Sequence, residues 1–119
     1  MPLWQILSIM IDHVKALSKK YLPRVIELRR LIHANPELSW EEYQTAELVA
    51  EELRKLPGIE VTTGIVKNGV VGILKGNNPD SKCIALQSDM DALPVQEQER
   101  SDDGWKNDIM MHACGPAGR

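Results

Sequence analysis

The chain has 119 residues, 43% of them hydrophobic and 26% charged, with a formal net charge of -3. That length holds one domain at most, and the composition is that of an ordinary folded soluble domain. A slightly acidic chain without a block of basic residues has no electrostatic footprint for nucleic acid or an anionic membrane, which leaves small molecules and proteins as partners.

The apolar run from Leu3 to Ile11 has no basic flank and no small-residue cleavage site, and Asp12 and His13 follow it at once. It is too short to cross a bilayer and predicts a short amphipathic lead-in helix within residues 1-21. Leu22, Val25, Leu28 and Ile32 recur at helical spacing and predict a helix over 22-34, with Pro23 in its first turn, His33 in its last and Asn35-Pro36 as the stop. Ser39-Trp40-Glu41-Glu42 reads as a capping box that starts a helix at Trp40. The apolar face of that helix is Ala46, Val49, Ala50, Leu53 and Leu56, and Leu56-Pro57-Gly58 ends it.

Three strand-like runs follow: Ile59 to Ile65, Gly69 to Leu74, and Cys83 to Leu86. Asn68-Gly69 reads as the hairpin turn between the first two. The third run is continuously apolar, as a central strand covered on both faces would be. Helix, helix, strand, strand, strand is the order of an α/β domain. Cys83 and Cys114 read as free thiols, since nothing marks a secreted disulfide scaffold.

Asp89 and Asp91 follow the third run directly, at the strand end where open α/β sheets gather ligands. At i and i+2 the two carboxylates do not readily face one point, so they have different jobs or are solvated turn residues. Ala92-Leu93-Pro94 after them suits a turn packed against the protein, whereas Gln96 to Asp103 reads as a solvated loop. Cys114 sits between Ala113 and Gly115, where a thiolate can project toward a metal, although a lone cysteine is equally a small buried hydrophobe. His112, two residues earlier, is not a ready-made chelate with it.

Arg30-Leu31-Ile32-His33-Ala34-Asn35-Pro36-Glu37-Leu38-Ser39-Trp40-Glu41-Glu42, then Asp89-Met90-Asp91-Ala92-Leu93-Pro94, then Met111-His112-Ala113-Cys114-Gly115 resemble the N-acyl-amino-acid amidohydrolases. That group includes aminoacylases, hippurate hydrolases and plant auxin-conjugate hydrolases. The resemblance covers residues 22 to 118, in the right order. It implies an α/β sandwich around a mixed sheet, with residues 22-119 as the N-terminal part of the catalytic domain.

It also implies a pair of divalent cations (Zn, Mn, Co or Ni), roughly 3.5 to 4 Å apart in sites of this class, acting on N-acylated amino acids. By resemblance Cys114 is a metal ligand and Asp91 the aspartate that supports the metal centre. The roles of Asp89 and His33 stay open. A cytoplasmic protein, free to form a homo-oligomer, is expected.

The chain departs from the family at its end, where Cys-Gly-His-Asp-Gly-His is replaced by Cys114-Gly115-Pro116-Ala117-Gly118-Arg119. Pro116 cannot ligate a metal. The family's Glu-Glu pair and later histidines are not in the sequence, so the expectation is an inactive N-terminal piece of an amidohydrolase. The alternatives are a non-catalytic fragment that pairs with a full-length homologue through a sheet edge, and a dipeptidase or carboxypeptidase relative.

Overall fold

The computed structural model describes residues 1–95, 110 and 112. The chain divides into two compact units, Met1–Ile32 and His33–Arg119.

One continuous helix, α1 (Leu3–Ala34), takes the place of the two helices predicted on either side of residue 22. Pro23 is therefore an interior residue and not a first-turn one. It offers no N–H to the Lys19 carbonyl, a defect of about 3 kcal/mol. The helix survives it because Lys15 to Leu22 and Arg24 to Leu31 are mostly good helix formers that propagate from both sides. Among the described residues no helix is long and apolar enough to cross a membrane.

In the second unit, α2 (Tyr43–Arg54) packs on an antiparallel hairpin of β1 (Ile59–Ile65) and β2 (Gly69–Leu74). The register runs from Ile59 opposite Leu74 to Thr63 opposite Val70, then shifts so that Ile65 faces Gly69. Gly64, at φ +78°, supplies the extra residue of this bulge, a backbone conformation only glycine adopts without strain. Ile59 and Val61 are half-buried while Glu60 and Thr62 are exposed, the period-two pattern of a strand covered on one face. Gly72 lets the helix come close: a Cβ there would lie 3.1 Å from Ile59 Cγ2 and 3.3 Å from Leu53 Cδ1.

Three local expectations are corrected. The capping box does not form: α2 starts at Tyr43, Glu42 is its N-cap without a side-chain cap bond, and Trp40 sits in a left-handed turn at φ +71°. The hairpin exists, but its turn is the three residues Val66 to Asn68, with Val66 and Lys67 at φ +46° and +82°, and Gly69 already belongs to β2. Asn68 is buried and donates from Nδ2 to Glu42 Oε2 at 3.0 Å, so its side chain is committed to the helix start.

The third correction is the run Cys83 to Leu86, which joins no sheet; Ile84 is 88% and Leu86 97% exposed. A strand is stable only where its N–H and C=O groups meet a neighbour, and among the described residues none pairs with this run. The α/β character stands, with two paired strands. Cys83 is a free, exposed thiol, as expected.

Val66 is a β-branched residue at positive φ, a strained combination, and its side chain is 75% exposed. Val66→Asn should therefore raise stability by about 0.5–1 kcal/mol, seen as a higher urea midpoint at unchanged slope.

Candidate functional site

The first two motifs and His112 of the third meet around the segment from Asp89 to Pro94, with Glu37 joining the first motif to the second and His112 reaching Asp91. After α1 ends, Pro36 is buried and the chain turns so that the Glu37 carbonyl accepts the Ala92 N–H at 2.7 Å. Leu38 and Ala92 form an isolated parallel bridge there. Ala92 is 2% exposed, which makes its small side chain part of the packing that holds Asp91 in place.

The Glu37 side chain works in the other direction. Its Oε2 accepts the Gln44 N–H at 3.0 Å, and its Oε1 accepts both the Thr45 N–H at 2.6 Å and the Thr45 hydroxyl at 2.5 Å. These are the second and third amides of α2, two of the donors that a helix start leaves without an intrahelical acceptor. A carboxylate on them is also favoured by the positive end of the helix dipole. Glu37 thus performs remotely the capping that Ser39 was expected to perform.

Glu42 and Lys67 tie the helix start to the hairpin. Lys67 Nζ donates to the Trp40 carbonyl at 2.6 Å and lies 5.3 Å from the centre of the Tyr43 ring. Partial burial pushes the Glu42 carboxyl up, but the Asn68 hydrogen bond, the backbone amides of Glu42 and Trp40 and the charge of Lys67 outweigh it, and the net displacement is downward.

Asp91 is half-buried and Asp89 exposed, so the two carboxylates do occupy different environments. The Asp91 carbonyl lies 3.0 Å from His112 Nδ1. A carbonyl oxygen can only accept, so Nδ1 carries the proton and, in the neutral ring, Nε2 carries the lone pair. His112 is 2% exposed and His33 6%, with ring centres 6.3 Å apart and planes tilted by 38°. The structure therefore brings His33, Glu37, Asp91 and His112 into one neighbourhood. The expected ligand Cys114, with Pro116 and the loop from Gln96 to Asp103, lies outside the described residues.

The sequence reading missed two of these roles. Spacing does not single out His112, which two residues before Cys114 is not a ready-made chelate with it. The capping by Glu37 spans seven and eight residues, beyond the three-residue spacing of a capping box.

No protein-family model matches the chain. It is 49% identical over 109 residues to thermostable carboxypeptidase 2 of Saccharolobus solfataricus, covering 89% of this chain and 27% of that protein. It is also 49% identical over 92 residues to the hippurate hydrolase of Campylobacter jejuni, covering 77% of this chain and 24% of that one. Among solved structures it superposes on the Bacillus subtilis YXEP protein, described as a dinuclear metal binding peptidase of the M20 family, with a TM-score of 0.74 at 38% identity. That match covers 83% of this chain and 27% of that one.

The chain is therefore a relative of the proteins named hippurate hydrolase, N-acyl-L-amino acid amidohydrolase and IAA-amino acid hydrolase, with an M20-family peptidase as its structural neighbour. It spans about a quarter of the length of the relatives it matches.

Two outcomes follow from the geometry. Glu37→Ala should cost about 2 kcal/mol by removing a charged cap, and Glu37→Gln clearly less, since an amide oxygen still accepts; urea unfolding measures both. Because the folded Glu42 carboxyl is lowered, it contributes stability above the ordinary glutamate range, and this is lost as pH falls through its lowered value. The gap in melting temperature between wild type and Glu42→Gln should be widest near neutrality and should close in acid.

Proposed function

We propose that this chain carries the Asp91 and Cys114 part of a metal-dependent hydrolase site for the amide bond of N-acyl amino acids, and that as written it does not hydrolyse them. The observation that supports this reading is the convergence of His33 to Glu37, Asp91-Ala92 and His112 on one neighbourhood, immediately before Cys114 in sequence. In this reading residues 1-21 are a lead-in and residues from 22 onward belong to the catalytic domain.

The described residues do not by themselves fit a metal pair. Among them no three His, Cys, Asp or Glu side chains gather into a cluster that could hold an ion. Cys114 would be one thiolate donor, and Pro116, where the pattern that the sequence resembles has histidine, has no side-chain donor to offer. No catalytic step is derived through the metals. What the chain's own residues do is positional: Glu37 and His112 hold the one peptide group between Asp91 and Ala92, by its N–H and its C=O, and the Asp91 carboxylate is proposed to support the ligands of the centre.

The substrate class is the finer part of the proposal. Identity to a carboxypeptidase equals identity to a hippurate hydrolase. This stretch of sequence thus does not separate a peptide bond from an N-acyl amide, and a carboxypeptidase-like reading is the second one it supports. Both share the reacting bond, an amide next to a carboxylate.

The test is metal titration. The wild-type chain should bind Zn or Mn weakly and release no benzoate from hippurate. Pro116→His should tighten metal binding by at least about tenfold, the order of effect seen even for residues that only orient a ligand. Unchanged affinity in Pro116→His, or equal affinity in Cys114→Ser, would sink the ligand assignment.

A further inference from the structure

The least explained feature of the chain is α1, whose large apolar side chains are mostly exposed. Leu3, Leu7, Met10, Val14, Leu17, Tyr21, Arg24, Leu28 and Leu31 alternate at spacings of four and three residues without interruption. This is the a/d pattern of a coiled-coil seam, sustained for four heptads with one polar member, Arg24. The seam is open: Leu3 is 74%, Met10 60% and Val14 59% exposed. Trp4, Ile11, Val25 and Ile32 line one flank of the same stripe. Pro23 falls on the outer side, where its defect does not interrupt the seam.

We propose that α1 is a self-association helix that packs antiparallel against α1 of a second copy of this chain. The area available is sufficient. Covering the seam and its apolar flank removes roughly 600 Å² per helix, taking about 60–120 Å² for full burial of each aliphatic side chain at half exposure and more for Trp4. The pair then buries about 1,200 Å², the lower bound of stable specific interfaces.

Orientation follows from Arg24. A parallel, in-register pair would set Arg24 against Arg24 of the second copy inside the seam, whereas the antiparallel pair sets it against Val14. Leu7 then meets Leu31, Met10 meets Leu28 and Leu17 meets Tyr21, with His13 beside Glu27 on the flank. Such an interface is self-complementary about a two-fold axis near residue 19. A membrane surface fits less well, because the most exposed apolar stretch, Met1 to Met10, carries no Lys or Arg to meet an anionic headgroup.

The experiment is sedimentation equilibrium of the 119-residue chain at tens of micromolar. The expected mass is twice the 13.4 kDa of one chain. Met10→Glu and Leu17→Glu should each weaken association about tenfold or more, while Lys19→Glu, on the outer face, leaves it unchanged. Circular dichroism of each variant should show α1 still helical. In a Cys83→Ser, Cys114→Ser background, pyrene on Ser18→Cys should give excimer emission and pyrene on Ser8→Cys none. A monomer at every concentration, a dimer indifferent to the two seam variants, or a monomer captured by phosphatidylserine vesicles overturns the proposal. Excimer from both labelled positions overturns the antiparallel arrangement.

Discussion

A single residue, Glu37, ties the start of α2 to the acidic turn. Its carboxylate holds the first turn of α2 and its main-chain carbonyl holds Ala92, beside Asp91. Removing either set of bonds leaves buried or half-buried donors without acceptors, which is costlier than the bonds' net contribution. Helix orientation and the placement of the acidic turn are therefore coupled through one residue. The described residues offer few buried apolar side chains to do this work: Ala50, Ala92 and Pro36.

How much of this was readable depends on whether the deciding interaction is local. Helical stretches were legible from periodicity, and the two paired strands appear at the predicted residues because strand-like composition and the Pro57-Gly58 and Asn68-Gly69 boundaries are local signals. The helix start was misread because Ser39 and Glu42 satisfy a local rule that Glu37 overrides from further away. Asn68 lies in the turn as the sequence suggests, but the turn also takes Val66 and Lys67, and the bond of Asn68 to Glu42 across 26 residues is one that the sequence cannot display. Cys83 to Leu86 is the opposite case. Its composition suits a central strand, but strand formation depends on neighbours, and composition does not report them.

The strained positions gather where α2 meets the hairpin. Trp40, Val66 and Lys67 hold left-handed backbone without being glycine, and Lys67 bonds to the Trp40 carbonyl. Strain of this kind, of order 1–3 kcal/mol per residue, persists only where surrounding contacts over-determine the backbone. Here those contacts are the Lys67 bond, the Tyr43 ring under the ammonium and the Asn68 to Glu42 bond. The same contacts outweigh the burial that pushes the Glu42 carboxyl up, so the pH response and the backbone strain have a shared origin.

The candidate site was legible as three motifs but not as a geometry. Asp91 and Asp89 separate into half-buried and exposed positions, as their i, i+2 spacing suggested. His112 shows what the motif spelling hides. Its Nδ1 proton is committed to the Asp91 carbonyl, which fixes the ring and leaves Nε2 enclosed on the far side, shielded from solvent. A histidine held in this way anchors the chain two residues before Cys114 to the acidic turn. Replacing the histidine expected at 116 by proline removes a donor but leaves that anchor in place, which is why restoring one side chain is a fair test of the site.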